Sequence, residues 1–208
     1  MEKKQKDWIG NKQAPFSCNG CSNHSKENRA SQDFYASDPK SAEWLLKLEP
    51  QITDVLEPFV GLGHLAEPYK KAGKLRAVQD LIDRGYYPEG VNTSYGKDFL
   101  QEDIIWKGDM VSNPPYSGSL QYVEHCLDLL EESRYLALLL KLTFLEGKSR
   151  KEFFKNNPPI RVWVSSSRLL CAKNGDFEKA KGTSSAVAYA WFIWQKGYKG
   201  DTIVKWFN

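Results

Sequence analysis

A chain of 208 residues can bury one substantial core and has little room for a second, so a second large domain is not expected. No apolar run reaches the length of a membrane span, and Met1–Asp7 carries no apolar signal region, which excludes a spanning helix and points to the cytoplasm. The formal net charge is only +3, but residues 31–140 carry ten basic against eighteen acidic side chains, and residues 141–181 ten against four. An acidic half suits a cationic ligand and a basic segment suits a polyanion.

Residues 1–30 are polar and without periodicity, and they read as an N-terminal arm. Cys18, Cys21 and His24 within it resemble half of a zinc site. A closed site needs a fourth ligand, and Cys126 and Cys171 fall far away in core elements, so no metal is assigned. The four cysteines show no disulfide spacing, as expected in a reducing compartment. Asp38-Pro39 reads as the cap and first-turn proline of a helix through Ser41–Leu48. Short apolar runs then alternate with helical patterns, the signature of a mostly parallel sheet. Strands are expected near Thr53–Glu57, Leu75–Asp80, Asp109–Asn113, Tyr135–Leu142, Ile160–Ser165 and Val187–Gln195, with helices over Leu65–Ala72, Ser119–Leu130 and Ser149–Phe154. Val187–Gln195 is apolar almost throughout, as a strand buried on both faces requires. Residues 31–208 therefore read as a single α/β domain.

Glu57-Pro58-Phe59-Val60-Gly61-Leu62-Gly63 falls where the first sheet strand turns into a helix, and glycines there let backbone approach a ligand closely. A Gly-x-Gly is also an ordinary tight turn, but Asp80 follows it at the end of the second strand, where a carboxylate can accept from ribose hydroxyls. Asp83 lies about a turn late for that role and could instead pair with Arg84. The loop is not Gly-x-Gly-x-x-Gly, since position 66 is Ala, which disfavours a hydride-transferring dinucleotide enzyme.

Asn113-Pro114-Pro115-Tyr116 is the most chemically loaded stretch. The prolines fix φ and remove two backbone donors, leaving carbonyls to accept. The Asn113 side-chain oxygen and the Pro114 carbonyl can together hold both protons of one exocyclic amine, with Tyr116 as a plate for a planar base.

These segments, with Asp33–Pro39, Asp98-Phe99-Leu100 and Leu140–Gly147, resemble the S-adenosylmethionine-dependent amino-methyltransferases of the Asn-Pro-Pro-Tyr type. Within that group the likeness is greatest to the small adenine-N6 DNA methyltransferases of phages and prophages. The resemblance implies a Rossmann-like fold with a seven-stranded, mostly parallel sheet whose last strand runs antiparallel. It implies S-adenosylmethionine as cofactor, held by Tyr35, Ala36, Asp38, Glu57, Pro58, Phe59, Gly61, Gly63, Asp80, Asp98, Phe99 and Asn113. Asp98 would accept from the cofactor's adenine amino group, with Phe99 against the ring.

On this reading Asn113, Pro114, Pro115 and Tyr116 carry the chemistry, stabilising the charge that develops on the target nitrogen by fixed dipoles. Duplex DNA would be the partner, with its adenine flipped out of the stack onto Tyr116. Phe177, in the polar stretch 173–185, is a second candidate plate, and Lys148, Arg150, Lys151, Arg161 and Arg168 are candidate phosphate contacts. RNA adenine, cytosine N4, a protein glutamine and a non-catalytic nucleic-acid-binding module are the alternatives. Monomer and homodimer both stand open.

Overall fold

The computed structural model describes residues 35–169, 171–173 and 187–208. The chain divides into Met1–Gln32 and Asp33–Asn208, and every described residue belongs to the second unit. Cys18, Cys21, His24 and Phe177, with the arm itself, lie outside the described residues.

The described elements run β1 (Tyr35–Ser37), α1 (Pro39–Leu48), β2 (Val55–Glu57), α2 (Ala66–Lys71), β3 (Leu75–Asp80), β4 (Asn92–Tyr95), β5 (Met110–Ser112), α3 (Ser119–Leu129), β6 (Tyr135–Lys141), α4 (Lys151–Asn156), β7 (Arg161–Ser165), β8 (Cys171–Lys173), β9 (Tyr189–Gln195) and β10 (Ile203–Phe207). Short 3₁₀ turns cover Phe99–Gln101, Leu142–Leu145 and Lys148–Arg150. Among the described residues the main sheet has eight strands, in the order β10-β7-β9-β6-β5-β2-β3-β4. All neighbours are parallel except β9, which runs antiparallel to both β6 and β7.

The mostly parallel α/β architecture matches the expectation, with two differences. The sheet has one strand more than seven, and the antiparallel strand is not the last. β10 follows it and extends the sheet beside β7 in parallel. It escapes a periodicity search because it is an edge strand, with Ile203, Val204 and Trp206 all exposed. A separate antiparallel ribbon joins β1 to β8, pairing Ser37 with Cys171.

Side-chain alternation builds a core on each face. From β6, Ala137 and Leu139 pack with α1 and α2 residues such as Leu45 and Tyr69, while Leu136, Leu138 and Leu140 pack with Val123 and Cys126 of α3. β9 continues both layers, Trp191 and Ile193 on one side and Phe192 and Trp194 on the other. Burial pushes the Cys126 thiol far up, so it behaves as a packed apolar group.

Polar groups pin the ends of the sheet. Asp109 is buried, and its two oxygens accept from Thr53 N at 2.7 Å and Tyr135 N at 2.8 Å, tying the entries to β2, β5 and β6 together. α1 begins as read from the sequence, with Asp38 capping Lys40 N at 3.0 Å and Pro39 in the first turn. It ends at Glu49, whose buried carboxylate accepts from both arms of Arg161 and from Trp163 Nε1. Arg161 is thus consumed in an internal ion pair, which removes it from the candidate phosphate contacts.

Candidate functional site

β2, β3, β5 and β6 end on the same side of the sheet, and β2 and β5 flank the point where chain order reverses direction. In open α/β sheets ligands bind in the crevice at such a switch point. The crevice here is open to solvent and offers about 130 Å³ of cavity volume, small against the roughly 300–1,000 Å³ of small-molecule clefts. Its walls include Ala36, Glu57, Pro58, Phe59, Asp80, Asp98, Phe99, Asn113, Pro114, Pro115 and Tyr116, a set read from the sequence. Gly61 and Gly63 shape the loop without lining the cleft, and Asp38 caps α1 beside it. Lys148 and Arg168 are exposed, and neither lines the cleft.

The glycine loop is built by backbone bonds. Val60 N donates to Gln79 O at 3.0 Å, Gly63 N to Val60 O at 2.8 Å, and Gly61 N to Asp80 Oδ2 at 2.8 Å. Gly63 has φ +82°, and a Cβ placed there would stand 2.4 Å from the Tyr86 ring. Only glycine meets both demands.

Asp80 is more committed than its sequence position suggests. Besides Gly61 N, it accepts from Ile82 N at 2.9 Å and Arg84 Nη1 at 3.0 Å through Oδ1. A carboxylate offers about four acceptor positions, so one remains for a further donor while Arg84 stays in place. Arg84 pairs with Asp80 rather than Asp83, which instead accepts from Gly85 N and the Tyr87 hydroxyl.

Glu57, at the end of β2, is the strongest electrostatic signal in the cleft. It is 3% exposed, and its Oε2 has no hydrogen-bond partner. Burial first, and the nearby Asp80 charge second, push its carboxyl well above the ordinary carboxylate range. A buried, unpartnered carboxyl facing a cleft favours a cationic ligand, which would restore its charged form. His64 also lines the cleft, and burial lowers its pKa against the opposing charge of Asp38.

One wall is aromatic. Phe59 meets Phe99 edge-on at 5.1 Å and Tyr122 edge-on at 5.0 Å, and Asp98 beside them accepts from Leu100 N at 3.1 Å. That combination, apolar plates beside a carboxylate, can hold a heteroaromatic ring by its faces and one amino edge.

The Asn-Pro-Pro-Tyr stretch leaves β5 as expected, with all its peptide bonds trans. Asn113 Nδ2 donates to Ser37 Oγ at 2.8 Å and lies 3.5 Å from the Tyr116 hydroxyl, which makes the side-chain oxygen the acceptor end of the amide. Tyr116 donates to the Tyr189 hydroxyl at 3.1 Å, and Lys141 Nζ lies 4.4 Å from its ring centroid. Ser37, Tyr122, Lys141 and Tyr189 are the residues that sequence reading missed. Ser37 stands between Ala36 and Asp38 in the sequence, but its burial and its place on β1 appear only in the fold.

Arg150 has a local task. Its Nη2 donates to the Thr143 and Glu146 carbonyls and its guanidinium lies 5.0 Å over Phe144, bracing the turn after β6.

No protein-family model matches this chain, and no curated protein matches it by sequence. Solved structures do match by shape. A protein of Listeria monocytogenes, described as a class I S-adenosylmethionine-dependent methyltransferase, superposes with TM-score 0.53 at 12% identity over 80% of this chain, which spans 63% of that protein. The N-methyltransferase NodS of Bradyrhizobium japonicum WM9 gives 0.51 at 12% identity, over 76% of this chain and 96% of its own. The M protein of the type I restriction enzyme EcoKI gives 0.53 at 13% identity, over 81% of this chain and 45% of its own. At such identities the likeness establishes the architecture: the chain has the Rossmann-like methyltransferase fold, enlarged by one parallel edge strand.

Proposed function

We propose that this chain transfers a methyl group from S-adenosylmethionine to the N6 amine of adenine in DNA. The observation that carries the proposal is the meeting of Asn113–Tyr116 with Glu57, Asp80 and Asp98 around one cleft at the switch point of the sheet. The residues fit the cofactor. Glu57 offers a buried carboxyl for a cationic group, Asp80 retains an acceptor position for a ribose hydroxyl, and Asp98 with Phe59 and Phe99 suits an adenine ring. Held there by Glu57, Asp80 and Asp98, the cofactor would supply an electrophilic sulfonium methyl for transfer to the amine nitrogen, its sulfur leaving as the neutral thioether.

The protein's own work is positional and electrostatic. The N6 lone pair is delocalised into the purine, so attack needs a pyramidal nitrogen. Asn113 Oδ1 and the Pro114 carbonyl, each accepting one N–H, favour that geometry and stabilise the positive charge that develops. Ser37 and the Tyr116 hydroxyl hold the amide in the required sense. The extra proton leaves to solvent after transfer, so no general base is required. Extrusion of the base from the duplex brings it to Tyr116. Lys148 and Arg168, both exposed, stand as phosphate contacts in this reading, whereas Arg150 is spent on the turn after β6.

The EcoKI M protein and the type IIG restriction endonuclease BpuSI, which superposes with TM-score 0.58 at 12% identity, share the fold and support a DNA substrate. The test is transfer of tritium from labelled S-adenosylmethionine to duplex DNA, structured RNA and a glutamine-containing peptide in parallel. The expected result is label on adenine N6 in DNA, lost in Asn113→Ala while cofactor binding persists. Label only on RNA or peptide, or cofactor binding with no transfer to any of them, would overturn the reading.

A further inference from the structure

Lys141 is the last residue of β6, at the carboxyl edge of the sheet, and it interrupts an otherwise apolar run, Leu136–Leu140. The β6–β9 register sets it directly opposite Tyr189. Directly opposed residues of an antiparallel pair project to the same face, so both reach Tyr116 from one side. Tyr189 meets the Tyr116 hydroxyl at 3.1 Å, and the Lys141 ammonium lies 4.4 Å from the Tyr116 ring centroid. None of the ion pairs among the described residues includes Lys141.

A ring that only needed support would be served as well by Leu or Met at this position, which would extend the apolar strand without placing a charge at the cleft. A charge on a ring face is held weakly and is readily surrendered to a stronger acceptor. A base that stacks on Tyr116 either displaces the ammonium or shares the ring with it. In both arrangements the charge lies beside the incoming nucleotide.

We propose that Lys141 is the phosphate anchor of the target nucleotide, resting on the Tyr116 ring when the site is empty and turning to the backbone phosphate beside the extruded base. The inference rests on Asn113–Tyr116 being the transfer site, and it deepens that reading. It makes the site selective for a nucleotide within a polyanion over a free nucleoside or a protein amide, which offer no phosphate. Arg161 and Arg150, by contrast, are tied to internal acceptors.

The test measures binding of the full chain to a short adenine-containing duplex, with S-adenosylhomocysteine present, across about 50–200 mM salt. Lys141→Met removes the charge and keeps the length, and Lys141→Arg keeps the charge. Loss of one phosphate contact makes the slope of log affinity against log salt shallower by about 0.9, which is three- to fourfold less weakening over that range. The expected result is that shallower slope in Lys141→Met and a wild-type slope in Lys141→Arg, with unchanged melting temperature and S-adenosylhomocysteine affinity in both. A ring-packing role alone would lower turnover and leave the slope as it was. A wild type that methylates DNA beside an unchanged slope in Lys141→Met overturns the anchor alone. A wild type that binds and methylates no nucleic acid removes the transfer reading and the anchor together.

Discussion

Replacing Glu57 by Gln separates what this carboxyl does for binding from what it does to folding. In the ligand-free protein Glu57 is buried with one oxygen unpartnered, and burial raises its pKa. The native state therefore keeps a proton that the unfolded chain releases above about pH 4.3, the ordinary glutamate value. Native protein binding more protons means that stability falls as pH rises, starting at that unfolded value and continuing up to the raised native one. The slope is about 1.4 kcal/mol for each pH unit over which only the native state holds the proton. At roughly 2–4 °C per kcal/mol for a chain of this size, that is about 3–6 °C of melting temperature per pH unit from one side chain.

Glu57→Gln cannot ionise, so its melting curve lacks this component. Melting temperatures measured from pH 4.5 to 8 should coincide with wild type at the acid end and rise progressively above it towards pH 8. S-adenosylmethionine should narrow the gap by stabilising wild type, by about 2.7 kcal/mol at a hundred times its Kd, while barely moving Glu57→Gln. A variant that parallels wild type at every pH would refute the burial argument, and one that binds the cofactor as tightly would refute the cationic-ligand role.

Ser37→Ala removes the acceptor that orients the Asn113 amide. The loss of one hydrogen bond, about 0.5–1.5 kcal/mol, should lower kcat roughly two- to tenfold with cofactor affinity preserved, and equal kcat would count against the orientation role. Gly63→Ala forces a side chain into φ +82° and against the Tyr86 ring. Left-handed strain of about 1–2 kcal/mol plus the clash should show as a melting temperature lower by several degrees and weakened cofactor binding. Glu49→Gln leaves the half-buried Arg161 guanidinium without its counter-charge and should cost about 1.5–3 kcal/mol in chemical denaturation, the worth of hydrogen bonds to a charged group. Burial pushes the Glu49 carboxyl up, but the bonds from Arg161, Trp163 and Gln51 outweigh it and hold the pKa down. Its stabilisation is thus present above the unfolded value and lost as pH falls through the native one. Acid titration of Glu49→Gln should lack that loss.

The central strands and the cleft were legible because their signals are local. β3 and β6 lie within a residue of their expected ranges, since each is an apolar run bounded by turn residues. Glu57, Asp80 and Asn113 were legible because each sits where a strand ends, and the parallel sheet gathers those ends. β4 was missed as a strand because Asn92-Thr93-Ser94-Tyr95 is polar and lies at the sheet edge, where burial imposes no alternation. β1 and β8 are three residues each and exist only through their mutual pairing. Arg161 could not be sorted from the other basic residues because its partner lies 112 positions away. Lys141 and Tyr189 were invisible for the same reason: only the strand register brings them to Tyr116.

That register has a practical corollary for anyone redesigning the protein. Sliding β9 by one position against β6 would exchange its two faces, burying Tyr189 among the layer that now takes Phe192 and presenting Ala190 to the tyrosine plate. Insertions in the connection before β9 are tolerable only if they leave this parity intact. Any change within β9 must therefore keep Tyr189 opposite Lys141.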